Sequence, residues 1–116
     1  MILYHNPKCS KSRETKALLE QRGLRPQVIE YLETPPSSSE LDAILRKLGM
    51  EPRELLRTKE PAYAEAGLAN PRLTRAELIE AMVAHPILIE RPILVNGARA
   101  ALGRPPERVL EILTSS

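Results

Sequence analysis

Within its first thirty-two residues the chain lays out an apolar run, a helix and a second apolar run. This arrangement constrains the fold more than any other feature. Ile2-Leu3-Tyr4 is short and apolar, and Asn6-Pro7 marks a turn. From about Ser10 the residues favour helix, with Ala17, Leu18 and Leu19 apolar. Gly23 stands where a helix stops, and Pro26 follows. Gln27-Val-Ile-Glu-Tyr-Leu32 is rich in β formers. A strand, a helix and a strand this close together make a βαβ unit, whose strands are parallel and whose crossover is right-handed.

The next fifty residues change period. Ser37-Ser-Ser-Glu40 is a capping box, and Leu41, Ile44, Leu45 and Leu48 follow it at helical spacing up to Gly49. Pro52 suits the first turn of a short helix carrying Leu55 and Leu56, and Glu60 to Gly67 is a candidate for another. Thr74-Arg-Ala-Glu77 is a second capping box, opening a helix that buries Leu78, Ile79, Met82 and Val83 and stops near Pro86. Strand character returns at Ile93-Leu-Val95. Asn96-Gly97 then predicts a type I′ hairpin into Ala98–Leu102. Pro105-Pro106-Glu107 opens a last helix with Val109, Leu110 and Leu113 apolar. The expected fold is α/β, a mixed sheet ordered β-α-β, helical block, β-β, α.

A length of 116 residues suits one domain, and no apolar run approaches the twenty or so residues of a membrane-spanning helix. Met1-Ile-Leu-Tyr-His5 lacks the basic n-region of a signal peptide and reads as mature structure. With no Phe or Trp, the core must be aliphatic. A net charge of +2 and three tyrosines argue against a nucleic-acid binder. The charge is unevenly spread: net +4 over residues 1–25, −4 over 26–90 and +2 over 91–116. If the two ends meet, they form a basic region suited to a small anion.

The chemistry concentrates in His5-Asn-Pro-Lys-Cys-Ser-Lys-Ser-Arg13. Cys9 is the only cysteine, so no disulfide can form within the chain, and with only His5 and His85 beside it no metal site is expected. The spacing puts Cys9 at the N-terminus of the first helix, where unpartnered amides and the helix dipole favour a thiolate. Lys8, Lys11, Arg13 and His5 are expected to add positive charge nearby. A free thiol titrates near 8.5, and such surroundings lower it to about 3.5–7.5. Cys9-Ser-Lys-Ser12 has the Cys-x-x-Ser spacing of monothiol redox proteins, with Ser12 where a resolving cysteine would stand. Any covalent intermediate on Cys9 must therefore be resolved by an outside thiol. Arg57, Arg91 and Arg104 stand at element junctions, two of them next to prolines, and arginine's planar fork of donors suits oxyanions.

These segments, with Tyr31-Leu-Glu-Thr-Pro-Pro36, Glu54-Leu-Leu-Arg57, His85-Pro-Ile-Leu-Ile-Glu-Arg-Pro-Ile93 and Gly103-Arg-Pro-Pro-Glu107, closely resemble the glutaredoxin-coupled bacterial arsenate reductase (ArsC) family along essentially the whole chain. Ser10-Lys-Ser-Arg-Glu-Thr15 and the Asn96-Gly97 hairpin look like its arsenate-reductase-like branch. The resemblance implies a thioredoxin-like fold, with a core of about 1–36 and 87–116 and a helical insertion of about 37–86. It implies Cys9 as nucleophile, Arg57, Arg91 and Arg104 as an arginine triad, His5 as a residue that keeps the thiol ionised, and Ser12 and Arg13 as motif neighbours. It also implies a cis Arg91-Pro92 bond.

The implied activity is reduction of arsenate to arsenite in the cytoplasm by a monomer with no bound cofactor. Glutathione serves as co-substrate and glutaredoxin as partner, with no nucleic acid or membrane involved. Two other readings compete. A monothiol oxidoreductase acting on glutathione mixed disulfides needs Cys9 but not three arginines. A regulator like the Spx proteins, which bind RNA polymerase, commonly carries a Cys-x-x-Cys switch that Ser12 breaks.

Overall fold

A computed structural model describes residues 1–113 and divides the chain into two compact units. The first comprises Met1–Thr34 and the chain from Arg91 onward; the second is Pro35–Glu90.

The first unit holds β1 (Ile2–His5), α1 (Ser10–Gln21), β2 (Gln27–Glu30), β3 (Ile93–Asn96) and β4 (Arg99–Leu102), then a 3-10 helix over Pro106–Ile112. The strands form one sheet in the order β2-β1-β3-β4. β1 and β2 are parallel, with Leu3 opposite Val28, as the βαβ reading requires. β3 runs antiparallel to both β1 and β4, with Leu3 opposite Leu94 and Leu94 opposite Ala101. Leu3, Leu94 and Ala101 thus share one face. Leu19 of α1 and Val109 and Ile112 of the 3-10 helix pack onto it, so the core is aliphatic throughout. This is a thioredoxin-like arrangement.

Two local expectations are corrected. The hairpin loop is Gly97-Ala98, because Asn96 is still paired with Arg99. A type I′ turn on Asn96-Gly97 needs positive φ at both residues, and among the described residues only glycines have it. Gly97, at φ 61°, stands first in the loop, as in a type II′ turn. Asn96 instead donates from Nδ2 to the Ile112 carbonyl at 3.0 Å, holding the last helix. That helix winds at three residues per turn, not 3.6, so its buried face is Pro106, Val109 and Ile112. Leu110 and Leu113, expected on the apolar face, are only half-buried.

The second unit holds α2 (Ser38–Leu48), α3 (Pro52–Leu55), α4 (Pro61–Glu65), α5 (Arg75–Ala84) and a 3-10 turn at Pro86–Leu88. Both capping boxes form: Ser37 and Thr74 accept the amides of Glu40 and Glu77, whose carboxylates reach back. Gly49 ends α2 at φ 68°, a left-handed conformation in which glycine meets no Cβ penalty. Asp42 of α2 pairs with Arg75 of α5 at 2.9 Å, and Ser38 donates to Glu80 at 2.6 Å. Turns fill 56–60 and 66–74, so the unit is less continuously helical than its sequence suggests, and Val83 is half-buried.

Gly103 joins β4 to the segment that carries Arg104. It is buried, and its amide donates to the Pro92 carbonyl at 2.9 Å. A Cβ there would stand 2.5 Å from Thr15 Oγ1 and 2.7 Å from Pro92 Cγ. Only glycine lets α1, Pro92 and the end of β4 approach this closely. Gly103→Ala should destabilise the protein by about 1–3 kcal/mol, as overpacking does, measured by urea denaturation. An unchanged midpoint would show slack in this contact.

Candidate functional site

Cys9 is the N-cap residue of α1, with extended backbone at φ −99° and ψ 125°. That position ordinarily goes to Ser, Thr, Asp or Asn, whose oxygen accepts a first-turn amide. Here no side-chain oxygen caps the helix, and its first turn has no acidic residue. The backbone amides of Ser12 and Lys11, left without such an oxygen, favour the charged form of the Cys9 sulfur.

Cys9 as a residue is only 7% exposed. Burial by itself pushes the thiol up. The Ser12 amide, the Arg91 charge, the Lys11 amide and a hydrogen bond from Arg104 outweigh it and bring the thiol below its ordinary value. Arg104 is itself fixed, donating from Nε to the Arg91 carbonyl at 2.9 Å. The two arginines act on the sulfur because β3 lies beside β1 in the sheet and Gly103 brings the end of β4 against Pro92. The Arg91-Pro92 bond is cis, as the resemblance implied; Arg104-Pro105 is cis as well.

The sequence-near cations act differently from expectation. Lys8 and Lys11 are exposed, and the Lys11 ammonium lies 3.7 Å from Glu14. Lys11 lies in the first turn of α1, and its backbone amide, not its charge, acts on the thiol, while the Lys8 amide donates to Asn6 Oδ1. Arg13 donates from Nη1 to the Pro7 carbonyl at 2.9 Å, bracing the loop before Cys9.

His5 and Ser12 form a buried pair, with Nδ1 and Oγ 2.6 Å apart, and Ser12 Oγ also accepts the Asn6 amide at 3.0 Å. Burial, foremost, with the nearby Lys16 and Arg13 charges, holds the His5 imidazole below its ordinary value; Glu30 opposes this only in part. His5 is therefore neutral at neutral pH and reaches the cysteine only through Ser12. Asn6, singled out in the sequence only as a turn signal, has most of its surface buried and bonds in three directions.

Arg57 belongs to the helical unit. Its amide donates to the Leu88 carbonyl at 2.8 Å, and its guanidinium pairs with Glu60 at 2.7 Å and lies 3.8 Å from Glu90. Among the described residues no group of three or more His, Cys, Asp or Glu could hold a metal ion, and no helix is long and apolar enough to cross a membrane.

Fold and site together define a one-cysteine, thioredoxin-like protein built around an acidic thiol. The model of the ArsC family matches residues 4–112, and the chain belongs to that family. It is 52% identical over 114 residues to a protein of Haemophilus influenzae named arsenate reductase, covering 97% of this chain and 98% of that one. It is 53% identical over 112 residues to the Escherichia coli K12 protein YfgD, whose name carries no activity, covering 96% and 94%. Among solved structures, an arsenate reductase from Vibrio cholerae matches with a TM-score of 0.94 and 56% identity, covering 97% of this chain and 96% of that one.

Two titrations check the electrostatics. Thiolate absorbance of Cys9 should show a midpoint below about 8.5, and Arg91→Gln or Arg104→Gln should each move it upward. A midpoint at 8.5 in the parent protein contradicts this account. For His5, the unfolded chain takes up a proton near 6.5 while the folded one resists. Stability should therefore fall as pH drops from about 6.5 toward the lowered folded value, and His5→Gln should flatten that slope. Urea denaturation across this range reads it directly.

Proposed function

We propose that the protein is an arsenate reductase with Cys9 as its nucleophile. The observation that carries this reading is the buried Cys9 at the head of α1, its thiol lowered by two backbone amides, the Arg91 charge and a hydrogen bond from Arg104. That is a site for an anionic nucleophile that must meet an anionic substrate. Without the arginines, a thiolate would approach arsenate against like charge. The names of the Haemophilus and Vibrio relatives support the same substrate.

In the proposed reaction the Cys9 thiolate attacks arsenic(V), a sulfur–arsenic bond forms, and an arsenate oxygen leaves as water after protonation. Glutathione attacks the Cys9 sulfur. The sulfur–arsenic bond breaks with its electron pair going to arsenic, giving arsenite and a Cys9–glutathione disulfide. The two thiols thus supply the two electrons. Glutaredoxin takes the glutathione and restores the Cys9 thiolate. Ser12 at the resolving position supports this division of labour, since no second cysteine competes. The setting proposed is the reducing cytoplasm, and the protein needs no bound cofactor. Arg57 enters as the third arginine on the family resemblance alone. The same lone thiol favours a second reading, general removal of glutathione from protein disulfides, in which Arg91 is dispensable.

A coupled assay with arsenate, glutathione, glutaredoxin and NADPH tests the proposal. Arsenate should drive NADPH oxidation, and Cys9→Ser should abolish it, because a serine hydroxyl is almost never ionised at neutral pH. Arg91→Ala and Arg104→Ala should each cost about 10- to 150-fold in kcat/KM, the worth of one charge-assisted hydrogen bond; Arg57→Ala tests the third position in the same way. If the arginine variants keep full activity while Cys9→Ser loses it, the general monothiol reading stands instead.

A further inference from the structure

Four residues before the helix set where the sulfur sits, and their hydrogen bonds converge on Asn6. Its carbonyl accepts the Cys9 amide at 3.0 Å, its amide donates to Ser12 Oγ at 3.0 Å, and its side-chain Oδ1 accepts the Lys8 amide at 3.0 Å. The Ser12 amide in turn favours the charged form of the Cys9 sulfur. These contacts form a ring: Cys9 amide to Asn6, Asn6 amide to the Ser12 hydroxyl, and Ser12 back to Cys9 through the effect of its amide on the thiol. The buried His5 pairs with that hydroxyl from outside the ring.

We infer that Asn6 is a positioning residue, whose side-chain carbonyl folds the 6–9 loop so that the Cys9 sulfur stays in front of the Lys11 and Ser12 amides. Two links of the ring are backbone bonds that any residue can make. The side-chain bond to Lys8 is what asparagine adds, an Asx turn that fixes the direction of the Asn6 carbonyl. With Asn6 only 7% exposed, the loop has little room to find another arrangement. The choice of asparagine also has an electrostatic side. Aspartate would make the same turn but set a second negative charge close to a thiolate, and alanine would leave the Lys8 amide without this partner.

The inference rests on Cys9 being the reactive thiol, and not on arsenate being its substrate. The test therefore uses iodoacetamide alkylation and thiolate absorbance across pH on the full chain, with thermal melting alongside. Asn6→Ala should shift the Cys9 titration upward and slow alkylation at neutral pH by about 3- to 10-fold, the worth of one ordinary hydrogen bond. Asn6→Ser, which can form the corresponding hydroxyl turn, should restore most of that loss. Asn6→Asp should melt like the parent yet titrate higher, because the turn survives while the charge is added. Asn6→Ala that reacts and titrates like the parent overturns the inference, as does a loss that Asn6→Ser leaves uncorrected. If Asn6→Ala does not fold, Asn6→Asp decides: parent-like melting with a raised titration supports the role, and an unshifted titration refutes it. Should these thiol measurements hold while arsenate fails in the coupled assay, the substrate is wrong and the positioning role stands.

Discussion

Everything at the site depends on a helix that begins without an oxygen cap. The first amides of α1 need acceptors, and a serine or aspartate at the N-cap would supply one internally. Replacing such a cap costs about 0.5–2 kcal/mol of stability. In this chain Cys9 stands there, and the first-turn amides act on its sulfur. A thiolate is a far better acceptor than a thiol, so amides that lack an oxygen cap favour ionisation. Arg91 and Arg104 then act on a sulfur already biased toward charge, and burial, which alone would suppress it, is overcome.

The sheet delivers those arginines. β1 lies between its parallel partner β2 and antiparallel β3, so residues from both ends of the chain meet at one edge of the helix. Gly103 is the contact point, and its missing side chain is filled by Thr15 and Pro92. Thr15 is fully buried, and its hydroxyl returns to the Lys11 carbonyl of its own helix at 2.8 Å, so it brings no unsatisfied group into the contact. Packing and electrostatics are thus coupled: loosening Gly103 moves Arg104, and moving Arg104 changes the thiol.

Local signals in the sequence read well. Ser37 with Glu40, Thr74 with Glu77, Gly49 and the βαβ opening each act over a few residues, and each appears where its chemistry places it. So does Cys9 at the head of a helix. What failed to show depends on distance or on one torsion. Lys8 and Lys11 are near Cys9 in sequence, but their side chains are exposed, while Arg91 arrives through strand pairing that no local pattern encodes. The hairpin slipped by one residue because Asn96 serves the last helix instead of the turn. Consecutive prolines at 105 and 106 hinted at a helix start but not at a 3-10 winding. Asn6 looked like punctuation, since a turn signal does not reveal which amides the turn will hold.

Because Leu3 pairs with Leu94, the sheet cannot close until most of the polypeptide exists. The cysteine leaves the ribosome early, and the arginines that sharpen it come last. A chain cut before Arg91 therefore lacks both arginines that help lower the Cys9 thiol. The charge at the head of the first helix is thus set by the last third of the chain, so the two ends act on one atom.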